Sequence, residues 1–87
     1  MKLKLKGSEA AAGTSSTNGS NVGSATLVRV HNAGTTERLV SLETSAAALI
    51  GTFTIGANDT EYLDKNATDE VFAANPDALL VGIAYYS

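Results

Sequence analysis

Cysteine is absent from this chain and histidine occurs once, at position 31. The first absence excludes disulfides and thiolate metal sites. The second excludes a cage of histidines around a metal. No apolar run approaches the roughly 18 residues that a membrane-crossing helix needs. A secretory signal is also missing its middle: "MKLKLK" resembles a charged n-region and "AAAG" a cleavage site, but no apolar stretch of about 7–15 residues separates them. Synthesis in the cytoplasm is the expectation, with no membrane partner.

Size sets the next limit. An 87-residue chain makes one small domain, which buries only about 60% of the surface its unfolded form exposes. Without disulfides or a metal as support, tight packing or assembly has to supply stability, and a homo-oligomer is expected.

Basic charge is scarce outside one end. Residues 1–30 carry Lys2, Lys4, Lys6 and Arg29 against Glu9, a balance of +3, whereas residues 31–87 carry Arg38 and Lys65 against eight acids, a balance of −6. An acidic body with three lysines at one end lacks the clustered basic footprint that nucleic acid requires. Between copies, the basic end of one would attract the acidic body of another.

What the chain does contain is strand grammar. "ATLVRVHN", "ERLVSLET", "IGTFTI", "TEYLDK" and "ALLVGIAYYS" alternate apolar and polar or small residues and are separated by turn clusters such as "NAGTT" and "GAND". "SAAAL" reads as a turn or short helical bend. "NATDEVFAANPD" reads as irregular, with Thr68 capping one helical turn and Pro76 stopping it. Turn-separated strands at roughly 10-residue spacing, with no sustained helical period, predict an all-β fold. The expectation is a small antiparallel β-sandwich or barrel of about five to six strands over residues 25–87, preceded by an extended arm over residues 1–24.

That arm begins with the alternation Lys2, Leu3, Lys4, Leu5, Lys6 and continues through Gly, Ser, Ala, Thr and Asn, with Val22 the one sizeable apolar side chain in residues 7–24. Ordering costs about 1–2 kcal/mol per residue, while a buried valine returns about 1.5–3 kcal/mol. The arm is therefore expected to need a host, with "KLKLK" adding to a neighbour's sheet edge as a detached strand. On that reading, deletion of residues 1–24 leaves a folded body that assembles less well.

Chemistry finds little purchase. His31, the one conventional base, sits beside Arg29 on the outward side of its strand, with no nucleophile elbow in the chain. Asp59, Glu61, Asp64, Asp69 and Glu70 miss the spacing of a calcium loop and read as solvated edges and turns. No cofactor, metal site or catalytic residue is expected, and the chain does not read as an enzyme. Tyr62, Tyr85 and Tyr86 are the aromatics best placed for an interface.

The motifs "LVRVHN", "GTFTI" followed by a turn and an acid–aromatic strand, "KNATD" and the closing "VGIAYY" resemble small virion structural proteins of tailed bacteriophages, of the marine type, over about residues 22–87. The resemblance implies a capsid decoration (cement) subunit or a tail or neck accessory subunit, located in the virion and made in the host cytoplasm. It further implies other virion proteins as partners, above all the major capsid protein, and an oligomer such as a trimer. It carries over no functional residue. A different class, a carbohydrate- or cell-surface-binding module, would use the loops "NAGTT" and "GAND".

Overall fold

A computed structural model of the chain describes residues 2–86; Met1, Ser87 and the side chain of Tyr86 lie outside the described residues. The chain is all-β, with β1 (Lys2–Leu5), β2 (Ala10–Ala11), a 3-10 turn (Ser16–Asn18), β3 (Leu27–Asn32), β4 (Arg38–Glu43), β5 (Leu49–Ile55), β6 (Thr60–Asp64), β7 (Glu70–Ala73) and β8 (Ala78–Tyr86). Two antiparallel sheets form. The first runs β1-β8-β3-β6, with β2 also on β8, and the second runs β5-β4-β7.

Period-two alternation supplies the core. In β3, Val28, Val30 and Asn32 are buried while Leu27, Arg29 and His31 turn to the other face. Val28 stands opposite Gly82 and Leu63, and Val30 opposite Leu80 and Glu61, so these share the inner side of the first sheet. Val40, Ile55, Val71 and Ala73 meet them from the second sheet. Gly82 is closely packed on this inner side: a Cβ there would lie 2.8 Å from the Ala25 Cβ and 3.2 Å from the Val22 carbonyl oxygen. Crowding of this kind costs about 1–3 kcal/mol, so G82A is expected to lower the thermal midpoint by a corresponding amount in a circular-dichroism melt.

The arm corrects the largest expectation. Lys2–Leu5 does not stand apart for a neighbour; it pairs with β8 of its own chain, Lys2 opposite Tyr86 and Leu5 opposite Ile83. After a bulge at residues 7–9, Ala10 and Ala11 rejoin β8 opposite Leu80 and Leu79. Residues 2–12 thus follow one edge of β8 as a single interrupted strand. The segment then changes sheets. The Ala12 N–H donates to the Ala78 carbonyl (2.8 Å), and the Ala73 N–H donates to the Gly13 carbonyl (2.9 Å) on the second sheet. Ser20 and Val71 exchange two further backbone bonds of 3.0 and 2.8 Å. Main-chain bonding and the buried Ala12 and Ala25 hold the segment in place of the large apolar side chains it lacks.

A second correction falls on residues 66–73. The expected helical turn is a tight turn in which the Asn66 N–H donates to Asp69 Oδ2 and the Asp69 N–H to the Asn66 carbonyl. It leads into β7, where Val71 and Ala73 pair with Leu42 and Val40. The gain is two more core positions, which a helix would have turned aside. "SAAAL" forms the turn between β4 and β5, closed by Thr44 on Ala47 and Ala48.

Candidate interaction surface

The outer side of the first sheet brings together side chains that lie far apart in sequence. The register places Leu3 beside Tyr85 and Leu5 beside Ile83, Val81 beside Arg29, and Arg29 beside Tyr62, all on one face. Leu3, Leu5, Tyr62 and Tyr85 remain 46%, 63%, 53% and 40% exposed, so large apolar and aromatic groups from three strands front the solvent together. Apolar clusters of this kind mark contact surfaces.

Order within the face comes from two contacts. The Tyr62 and Tyr85 rings meet edge to face, centroids 6.0 Å apart at 63°, an arrangement the ring quadrupoles favour. The neighbouring Tyr62 hydroxyl pushes the Tyr85 phenol above its ordinary pKa. From the bulge after β1, Glu9 reaches over β8 to Arg29, with the carboxylate accepting from the guanidinium at 2.9 Å. Val81 lies buried on the same face. Between this ion pair and Leu3 and Leu5 runs a shallow groove with Val81 in its lining.

The positions expected from sequence separate into two sets. Tyr62 and Tyr85 come into contact, while the Tyr86 side chain lies outside the described residues. Lys2 and Lys4 fall on the opposite side of the sheet from Leu3 and Leu5, and Lys6 continues the strand with its N–H on the Gly82 carbonyl. Sequence reasoning did not find Glu9 and Arg29 as partners. Opposite charges 20 residues apart carry no local signal of pairing.

Elsewhere, polar groups are used structurally. His31 Nδ1 shares a 2.8 Å hydrogen bond with the Thr60 hydroxyl across β3 and β6. Asp59, Glu61 and Asp64 are exposed, but Asp69 is buried in its turn, against the expectation of a solvated carboxylate. Burial lowers the Lys65 ammonium below its usual 10.5, with the charge of Asp69 opposing the shift. Ser16 donates to Glu43, a buried carboxylate that stands opposite Glu70 in the β4–β7 ladder.

At one end of the sandwich, the loops at residues 33–37 and 56–59 are drawn together by the fully buried Asn32. Its Nδ2 group donates to the carbonyls of Thr36 (2.8 Å), Ile55 (3.3 Å) and Gly56 (3.2 Å), and its Oδ1 accepts from the Gly34 N–H (2.9 Å). No family model matches the chain, and neither a curated protein nor a solved structure matches it.

Proposed function

We propose that the chain is a structural subunit of a virion, a capsid decoration protein that docks on the particle through the outer face of its first sheet. The observation that carries this reading is the convergence of Leu3, Leu5, Tyr62 and Tyr85 on that exposed face. Tyrosines combine apolar area with a hydroxyl and are favoured where one protein meets another. The resemblance of residues 22–87 to small phage structural proteins points to the major capsid protein as the partner. A tail or neck accessory subunit would use the same face on a different host protein.

Mass spectrometry of purified particles is expected to find the chain at a copy number that matches a capsid symmetry. Particles that lack it remove the proposal. Truncating two central aromatic contacts costs on the order of 2 kcal/mol or more, so Y62A/Y85A is expected to weaken affinity for the particle by roughly thirtyfold while keeping the fold.

The junction of loops 33–37 and 56–59 at Asn32 favours a second reading, a carbohydrate- or cell-surface-binding module. That module would bind glycans as free protein, with Y62A/Y85A leaving binding unchanged.

A further inference from the structure

The first sheet ends in two edges of opposite charge. One is β1, with Lys2 and Lys4 on the strand and Lys6 just beyond it; the other is β6, with Glu61 on the strand and Asp59 just before it. The register fixes the side each residue takes. Lys4 pairs with Ala84 and Lys6 bonds to Gly82, on the side that carries Val28, Val30 and, in β6, Glu61. Leu3 and Leu5 share the other side with Tyr62.

We infer that copies of this chain associate head to tail, the β1 edge of one adding to the β6 edge of the next. Every pairing in the sheet is antiparallel, so β1 and β6 run in opposite directions and a translated copy continues the alternation without reversal. One register satisfies both faces. With Leu3 opposite Tyr62, Lys4 stands opposite Glu61, Leu5 opposite Thr60, and Lys6 comes level with Asp59. A leucine then packs beside an aromatic on one side while opposite charges meet on the other, both favoured cross-strand pairs.

Self-pairing of either edge is penalised. Two β1 strands joined as one continuous sheet set lysine against lysine, and two β6 strands bring their acids together. The lysines that guard β1 against indiscriminate pairing therefore select an acidic edge. A head-to-tail contact of this kind closes into a ring or grows as an open chain. The inference stands apart from the particle reading, since it needs no component besides the chain itself.

The absence of cysteine makes thiol cross-linking specific. Directly opposed residues in an antiparallel pair lie about 4.5–5.5 Å apart at Cα, within the span of a disulfide. Purified L5C and T60C proteins, mixed under mild oxidation, are expected to give the mixed dimer at least tenfold above either homodimer. Sedimentation velocity supplies the second arm. At low salt the average mass is expected to rise with concentration, and to fall when screening shortens from about 10 Å at 0.1 M to about 3 Å at 1 M ionic strength. K4E and E61K are each expected to stay monomeric alone, and to associate when mixed, because each then offers the edge the other has lost. Far-ultraviolet circular dichroism checks that both variants are folded. A chain that stays monomeric at every concentration, equal yields of L5C homodimer and mixed dimer, or assemblies indifferent to K4E and E61K would each overturn the inference. None of these results depends on whether the chain is found in a particle.

Discussion

A chain lacking residues 1–24 is expected to lose cooperative folding, or to melt far below the full chain, rather than persist as an intact body. The segment covers the edge of β8 opposite β3. It also supplies the carbonyls of Gly13 and Ser20 to β7 and places Ala12 in the core. Its loss leaves the donors and acceptors of two strands without protein partners and opens a sheet edge that includes Leu80 and Ile83. Five inter-sheet or edge bonds outside the β1 and β2 ladders, those of Lys6, Ala12, Ala73, Ser20 and Val71, contribute about 1 kcal/mol each. That gross figure approaches the entire stability of a domain at the low end of the usual range, about 5 kcal/mol. Thermal melts and analytical sedimentation check it, with aggregation expected from the bared edge. A shorter deletion of residues 1–6 spares Ala12 and the contacts to β7 and is expected to cost less. An unchanged midpoint for the longer deletion would mean that the segment is a passive cover.

N32A is expected to be the most damaging single substitution. The side chain is fully buried and joins three carbonyls and one N–H from the two loops and the end of β5. Removing it orphans several of these groups at about 1–3 kcal/mol apiece, so a total near 3–5 kcal/mol follows. For a domain of this size that corresponds to a fall of about 15–30 °C in thermal midpoint. N32D keeps the shape but turns a carboxylate oxygen toward carbonyls that need a donor. Its deficit is expected to narrow on acidification, since burial raises the carboxyl pKa above its unfolded value of about 3.9. A protonated carboxyl donates again, so the stability is present at low pH and lost as pH rises through the folded-state value. An N32A protein melting within a few degrees of the parent would show that the loops hold together without the asparagine.

How legible these features were depended on where their free energy resides. Val28 and Val30, Phe53 and Ile55, and Ala78 and Leu80 stand at alternating positions, and apolar burial leaves that period in the sequence; the sandwich was readable from it. Residues 7–24 fold through backbone hydrogen bonds, which any side chain can make, so composition alone described a tether in search of a partner. β7 was obscured by its brevity: Val71 and Ala73 offer only two alternations, and Thr68, Asp69 and Glu70 imitate a helix start. Asn32 sits in "HNAGTT", where asparagine signals a turn, and nothing local marks it as the buried hinge between two loops. The tyrosines stood out by residue type alone, but their meeting with Leu3 and Leu5 on one face required β1 to lie against β8.

That meeting has a kinetic side. β8 is synthesised after every strand it joins, yet it is an interior strand of the first sheet, flanked by β1 and β2 on one side and β3 on the other. Lys2 and Tyr86 must find each other across nearly the whole described chain, and loop closure over such a span precedes any reward. Until β8 has left the ribosome, β3 has only β6 beside it and β1 has no neighbour, so the basic β1 stays unpaired beside apolar segments waiting to be covered. Completion of the first sheet is thus a late event, in which β1 is locked into place by β8.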